Sequence, residues 1–280
     1  MEQEKMAVQP PVREGSHGMP DWHVISGSTL KMIAVITMFI DHLAAGVLGR
    51  YLNAAGWGNL DWSNMDAYNQ WMEQNAALFD AYSMMRNIGR VAFPIYCFLL
   101  AEGLIHTKNL RKYTGRMLVF AFLSEIPFDL LFRGKWMAFE YQNVFFTLFF
   151  GVLAMAVMDW IIRQQRLHVA ARAVLCCAAA AACMAAADAM HTDYGSRGVI
   201  CIVIICLLRN ARELQIAAGA CSFLFFLNEM AAPYAFLSIA AYNGKRGWKL
   251  KYFFYLFYPV HLLLLYLLSM ALGVSSYSPM

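Results

Sequence analysis

The stretch that decides the fold is TLKMIAVITMFIDHLAAGVLG, residues 29–49, which is long and apolar enough to cross a bilayer as one helix. Asp41 and His42 lie side by side within it. A carboxylate at the centre of a membrane helix costs about 2.5–3.5 kcal/mol on insertion scales. Neighbouring side chains on a helix point about 100° apart, so these two residues do not simply satisfy each other. We therefore expect the pair to have a function.

The rest of the chain has the composition of an integral membrane protein. Of its 280 residues, 60% are hydrophobic and only 14% are charged, whereas an ordinary globular protein is about 25% charged. The apolar residues fall in long runs, as transmembrane helices require. Residues 1–24 are polar and contain no apolar signal-peptide core, so we expect the first span to direct insertion.

Charge and cysteine usage argue against several classes of function. The net charge is only +4, and no basic tract indicates nucleic-acid binding. The seven cysteines lie inside apolar runs and form no CxxC pair, which favours small core residues over disulfides or metal ligands. No other metal-ligand spacing is present, so we predict no metal site.

Hydropathy predicts about nine transmembrane helices, with eight to ten compatible with the short later runs. Their approximate bounds are 29–49, 89–107, 115–132, 143–162, 169–187, 198–208, 213–228, 231–242 and 251–271. Alternate loops hold 13 of the 22 Lys and Arg residues, at 108–116, 163–172, 209–212 and 243–251. By the positive-inside rule these loops and the N-terminus are cytoplasmic.

The sequence thus predicts an all-α, polytopic membrane helix bundle with a cytoplasmic N-terminus. It divides into a polar cytoplasmic tail at 1–28, a transmembrane domain at 29–271 and a C-terminal tail at 272–280. Within the membrane domain, residues 50–82 are predicted to form an external loop, since they carry four acidic residues and three tryptophans.

Further polar residues are predicted near the membrane level of Asp41 and His42. They are Arg90, Glu125, Asp129, Asn143, Asp193 and His261. Glu125 and Asp129 are four residues apart and share a helix face. An ion network that fixes helix packing explains these two as well as catalysis does. A structural histidine, bonded to a neighbouring backbone group or tyrosine, explains His261 equally well, and Arg90 is expected to pair with Asp41 or another carboxylate.

A histidine at this depth suggests acid–base chemistry. Its side chain titrates near neutral pH, and a carboxylate nearby fixes its tautomer and raises its basicity. Such a base suits deprotonation of an amine or hydroxyl that attacks an acyl donor, and it suits a proton relay equally well. No nucleophile elbow, HExxH motif or glycine-rich phosphate loop is present.

Eight ordered blocks of sequence run through the membrane part. They are LKMIA (30–34) with IDHL (40–43), MRNIGRVAFPIYCFLLAEG (85–103), HTKNLRKY (106–113), SEIPFD (124–129), NVFFTL (143–148), DYG (193–195), YNGKRG (242–247) and YLFYPVHL (255–262). Taken together, this set resembles the TraX family, whose namesake is the F-pilin acetylase of conjugative plasmids. The resemblance covers about residues 29–271.

The resemblance implies an acyltransferase in the bacterial inner membrane. It would move an acetyl group from acetyl-CoA to an amine or hydroxyl of an outward-facing protein or glycan acceptor. His42 would be the catalytic base, with Asp41 orienting it or joined to Arg90. The resemblance implies substrate contacts from Arg90, Glu125, Asp129, Asn143, Asp193 and His261, while basic residues of the inner loops would bind the CoA phosphates: Lys108, Arg111, Lys112, Lys245 and Arg246.

Two other classes of function stay open. A proton-coupled transporter would use the same carboxylates and histidines as a relay. A non-catalytic assembly factor for pili or the envelope would need none of them for chemistry. The segment 50–82 is longer than expected between the first two blocks, so it is interpreted as a lid or an element that recognises the acceptor.

Overall fold

The fold was analysed from a computed structural model that describes residues 23–107, 109–248 and 251–279, and the side chains of all of these except 251 and 252. Within these ranges the chain is helical, with no β-strand beyond two isolated bridges. The predicted all-α class is therefore confirmed for the described residues. Most of the predicted N-terminal tail lies outside them.

Eleven α-helices occur in the described part of the chain. They are α1 Gly27–Leu43, α2 Gly49–Ala54, α3 Met65–Gly89, α4 Ala92–His106, α5 Leu110–Arg133, α6 Val144–Ile162, α7 Val169–Ala189, α8 Gly195–Leu207, α9 Arg212–Leu227, α10 Ala235–Ala240 and α11 Lys251–Ala271. A π-helical turn, Ala44–Leu48, joins α1 to α2, so the opening stretch is one helical run of 28 residues. At about 1.5 Å per residue this run exceeds the thickness of a bilayer core.

Polar side chains mark where helices begin. The Ser26 hydroxyl accepts a hydrogen bond from the Thr29 amide at 3.2 Å, which caps α1. The Asn109 side chain caps α5 in the same way, at 2.9 Å from the Lys112 nitrogen. Such caps satisfy amide groups that have no partner within the helix.

Five helical runs in the described residues are long and apolar enough to cross a membrane. They are Gly27–Ala54, Met65–His106, Val144–Ile162, Val169–Ala189 and Phe253–Ala271, and Gly195–Leu207 is a shorter apolar helix. These runs fit a multi-pass membrane protein. Helix α5 is long enough, but it carries six charged residues, Arg111, Lys112, Arg116, Glu125, Asp129 and Arg133.

The helix bundle has two distinct ends. At the first, called here the basic end, α1 begins, α4 ends and α5 begins, and the chain from 241 to 248 packs beside the start of α1. Ile25 and Tyr242 form a backbone bridge there. At the opposite end α1 runs into its π-helical turn, α5 ends and α6 begins. Helix α11 packs against α5, α1 and the π-helical turn, which places it beside the Asp41–His42 level.

The segment expected to be a loop at 50–82 is largely helical. It contains α2, a short 3-10 helix at Trp57–Asn59 and most of α3. Its tryptophans form a cluster: the ring of Trp57 lies 4.9 Å from that of Trp71 and 4.8 Å from that of Trp62. The Trp71 indole also donates to the Ala55 carbonyl at 2.7 Å. Apolar packing among these rings explains why a segment with many polar residues folds into helices.

Arg50 ties the C-terminal tail to the opposite end of the bundle. Its side chain is only 1% exposed. It donates to the carbonyl of Ser275 at 2.6 Å, to that of Leu131 at 2.6 Å, and to that of Tyr277. A single guanidinium therefore links α2, α5 and the tail that follows α11.

We expect Arg50→Gln to lower the free energy of unfolding by on the order of 3 kcal/mol, because it leaves the buried Leu131 carbonyl and two part-buried carbonyls of the tail without a charged donor. Thermal unfolding of the purified protein in detergent would measure the loss. The matched control is Arg163→Gln, which breaks only the exposed pair with Asp159 and should cost at most about 1 kcal/mol. Equal effects of the two substitutions would contradict this account.

Candidate functional site

His42 and His261 meet in the interior of the bundle, although 219 residues separate them. The Nδ1 atom of His42 lies 2.7 Å from the Nε2 atom of His261, and the two rings are nearly parallel. His261 is 2% exposed. The packing of α11 against α1 creates this contact, so the structure brings together two residues that the sequence singled out independently.

A backbone carbonyl decides which nitrogens carry protons. The Nδ1 atom of His261 lies 2.7 Å from the Phe257 carbonyl oxygen, one turn earlier in α11. A carbonyl only accepts, so His261 must donate through Nδ1–H, and its neutral ring then accepts at Nε2. The hydrogen bond to that nitrogen must come from His42 Nδ1–H. In the neutral pair, Nε2 of His42 is consequently left with a free lone pair, which is the requirement for a base.

Aromatic rings enclose the histidine pair. The ring of Phe132 lies 5.6 Å from that of His42, and the ring of Tyr258 lies 5.8 Å away, both edge-on. Phe257 stacks on His261 with ring centroids 4.6 Å apart. These contacts limit rotation of the imidazoles and keep the hydrogen-bonded geometry in an apolar surrounding.

Asp41 pairs with a different arginine from the one expected. Its carboxylate lies 2.6 Å from Nη1 of Arg86, whereas Arg90 binds Glu229 at 2.9 Å. Gly89 explains the geometry, because a Cβ atom at that position would overlap the Asp41 side chain. Arg90 thus pairs with a carboxylate, as predicted, but with that of Glu229, and Asp41 binds the arginine one helical turn earlier. Arg90, at the end of α3, instead ties this helix to the segment after α9.

Glu125 and Asn143 form a bonded unit between α5 and α6. The Asn143 amide donates to the Glu125 carboxylate and, at 2.8 Å, to the Ala121 carbonyl. The same side chain caps α6 by accepting from the Phe145 amide at 3.0 Å. Asn143 is fully buried. These bonds make Asn143 a structural link between the two helices.

Asp129 and Asp193 each bind a neighbouring loop group. The Asp129 carboxylate, fully buried, accepts from the Ala138 amide at 2.6 Å, and so fixes the turn between α5 and α6. The Tyr141 hydroxyl donates to the Asp193 carboxylate. Burial raises the pKa of Asp193, and the hydrogen bond from Tyr141 opposes that rise. Arg133 lies over the Tyr141 ring, with its guanidinium carbon 5.3 Å from the ring centroid.

The residues expected to bind CoA phosphates are dispersed at the basic end. Arg111, Lys112, Lys245 and Arg246 are exposed, and Lys108 lies outside the described residues. Of the four described residues, only Arg246 lines the cavity of about 620 Å³ that opens at this end. In the described part of the chain, no group of three or more His, Cys, Asp or Glu side chains is arranged to hold a metal ion.

Comparison with known proteins decides the family. The family model described as TraX protein matches residues 26–269, which is most of the chain. This chain belongs to the TraX family. The match covers the helices from α1 to α11 and includes both histidines of the pair.

This TraX-family chain is also similar to a protein named for fimbrial assembly. It is 29% identical over 267 residues to the probable fimbrial assembly protein FimC, serogroup H1, of Dichelobacter nodosus. That alignment covers 86% of this chain and 94% of the relative. No solved structure matches the chain.

Three residues around the histidine pair were not assigned a role in the sequence analysis. Arg86 is the partner of Asp41, Glu229 is the partner of Arg90, and Tyr258 packs on both histidines. Arg86 precedes Gly89 by one turn of α3. A charged residue one turn before a glycine that packs against another helix was a local sequence signal that could have indicated Arg86 as a partner of Asp41. The pairing of Glu229 depends on how the segment after α9 folds back, and no local pattern indicates it.

We expect Asn143→Ala to lower the free energy of unfolding by on the order of 3 kcal/mol, since it removes a cap and a bond to a carboxylate. The control Asn109→Ala removes only the exposed cap of α5 and should cost about 1 kcal/mol. Chemical denaturation in detergent, followed by tryptophan fluorescence, would compare the two. A smaller loss for Asn143→Ala than for Asn109→Ala would show that Asn143 does not link α5 to α6.

Proposed function

We propose that this TraX-family protein is a membrane-embedded acyltransferase. It transfers an acetyl group from acetyl-CoA to an amine or hydroxyl of an outward-facing acceptor. The observation that carries the proposal is the hydrogen-bonded order Phe257 carbonyl, His261, His42, which leaves Nε2 of His42 as a base. An oriented imidazole of this kind is the usual general base for such attack.

The proposed reaction is a single displacement at the thioester carbonyl. The acceptor N–H or O–H gives its proton to Nε2 of His42 as the acceptor atom bonds to the carbonyl carbon. The carbon–sulfur bond then breaks, and the proton passes to the departing thiolate to give free CoA. His261 stabilises the imidazolium by accepting from its Nδ1–H, and the Phe257 carbonyl keeps His261 in the tautomer that can accept.

Charged pairs around the histidines support a polar acceptor site at the opposite end. The Asp41–Arg86 pair holds α1 to α3, with side chains 17% and 23% exposed. Arg90 keeps 30% of its side chain exposed while bound to Glu229, so it can also reach an acceptor. We assign Arg90 and Asp193 to acceptor binding. Glu125, Asp129 and Asn143 act indirectly, by positioning α5 and α6.

The proposed topology follows from the distribution of charge. Basic residues collect at the end where α1 begins, so we place that end and the N-terminus in the cytoplasm of a bacterial cell, with the bundle in the inner membrane. Eight spans would then result if α5, α8 and α9 also cross, and the segment that contains the six-residue α10 would return to the basic end between neighbouring helices. Acetyl-CoA would enter from the cytoplasm and the acceptor from outside.

The acceptor is proposed to be a component of a pilus or fimbria. The name of the Dichelobacter nodosus relative, a probable fimbrial assembly protein, favours this class. The same name favours a second candidate, an assembly factor that performs no acyl transfer. The two differ in one respect: only the enzyme requires Nε2 of His42.

We expect His42→Ala to lower kcat for acetyl transfer by on the order of a hundredfold or more, because the base is lost. Transfer of labelled acetyl from acetyl-CoA to pilin in proteoliposomes would measure it. His168→Ala, at an exposed helix start, is the control and should keep full activity. Undiminished transfer by His42→Ala would refute the mechanism. Wild-type protein that supports fimbriation without any transfer would establish the assembly factor instead.

A further inference from the structure

A cavity at the basic end includes neither His42 nor His261 among its lining residues. Its volume is about 620 Å³, within the range of sites for small organic ligands, which is roughly 300–1,000 Å³. Side chains from α1, α4, α5, α6 and α11 and from the chain at 242–248 line it. It is therefore built from segments far apart in sequence, at the end where a cytoplasmic ligand would arrive.

Three cationic side chains line this cavity: Lys31, Arg116 and Arg246. Lys31 and Arg116 are half-buried, unlike Arg111 and Lys112 on the same basic end. The Lys31 ammonium lies 5.5 Å above the Phe254 ring, and the Arg116 guanidinium lies 5.7 Å from the Tyr113 ring. The positive-inside bias explains exposed cations at a membrane boundary. It does not explain two half-buried cations that line a cavity. Their placement fits a ligand with several negative charges.

Glu102 supplies an independent sign of a ligand. It lines the cavity and is only 7% exposed. Its Oε1 atom has no hydrogen-bond partner among the described residues, and Oε2 lies 4.0 Å from Nε2 of His106, too far for a hydrogen bond. Leaving a buried carboxylate oxygen without a donor is costly. An N–H group of a bound molecule would satisfy it.

The deep wall of the cavity approaches the histidine pair. Phe145 lines the cavity, and its ring lies 5.0 Å from that of Tyr258. The ring of Tyr258 in turn contacts that of His42, at 5.8 Å. The ring contacts from Phe145 to Tyr258 and from Tyr258 to His42 therefore connect this wall to the candidate base.

We propose that this cavity is the binding site of the acyl donor, a thioester on a phosphorylated nucleotide carrier of the coenzyme A type. This inference rests on the proposed function. Lys31, Arg116 and Arg246 bind the phosphates, and Glu102 accepts an N–H of the carrier's amide arm. The acyl end points to Phe145 and Tyr258. Of the three cations assigned to the phosphates, only Arg246 is among the loop residues that the sequence suggested; Lys31 and Arg116 are not.

The test measures binding of CoA itself to the purified full chain in nanodiscs of zwitterionic lipid, by titration calorimetry. We expect Arg116→Gln and Lys31→Gln each to weaken CoA binding on the order of tenfold, as loss of a phosphate contact predicts. Glu102→Gln keeps the shape of the side chain but replaces the carboxylate with an amide, and it should weaken CoA binding severalfold. The matched control is Arg166→Gln, an exposed arginine between α6 and α7 that is outside the cavity lining, which should bind as the wild type does.

Each outcome separates the two proposals. Unchanged CoA affinity in Arg116→Gln and Lys31→Gln, with thermal unfolding also unchanged, overturns the donor site but leaves His42-dependent transfer standing. If Arg116→Gln and Lys31→Gln weaken CoA binding, and His42→Ala binds CoA normally but transfers nothing, both proposals hold. If CoA binds through these residues but the wild type never transfers acetyl, the proposed function fails alone. A cavity that binds anionic phospholipid and rejects CoA is a lipid site, and this inference is then wrong.

Variants that fail to fold are replaced by conservative ones. Arg116→Lys keeps the charge and should retain most of the affinity, whereas Arg116→Gln should not. The dependence of binding on salt gives a further readout, since removing one phosphate contact should flatten it. A salt dependence identical in wild type and both glutamine variants would also overturn the assignment.

Discussion

The hydrogen bond between His42 and His261 is the contact on which the rest of the candidate site depends. It joins α1 to α11 across 219 residues of sequence, and the Phe257 carbonyl gives it a direction. In an apolar surrounding such a bond is stronger than in water, but an unpartnered imidazole N–H would be correspondingly costly. The anchoring of the C-terminal tail by Arg50 therefore matters to the site, because it fixes the end of the helix that carries His261.

The other charged groups at this level are arranged in pairs that each join two segments. Asp41 and Arg86 join α1 to α3, Arg90 and Glu229 join α3 to the segment after α9, and Glu125 and Asn143 join α5 to α6. Burying a charge is tolerated when an opposite charge or donors surround it. The polar residues that looked like a catalytic set in the sequence thus divide into the hydrogen-bonded histidine pair and a larger group whose bonds join neighbouring segments.

Much of this could be predicted from sequence, and the limit lies in helix rotation. Apolar runs and the depth of Asp41, His42 and His261 are readable from composition and spacing. Whether Arg86 or Arg90 faces Asp41 depends on how α3 rotates against α1, which only packing at Gly89 decides. The cavity cannot be predicted from the sequence for the same reason, because helix rotation decides which side chains line it. Lys31 and Arg116 look like ordinary boundary cations until five helices and the 242–248 chain form the cavity around them.

The two aromatic rings between the cavity and the histidines have a consequence for the cell. A membrane that stores energy as a proton gradient cannot tolerate a continuous file of water from one face to the other. Phe145 and Tyr258, 9% and 3% exposed, give water few partners along the contacts that lead from the cavity to His42. In a chain that crosses an energised bilayer, two such rings on that path would lower the leak of protons between the two faces.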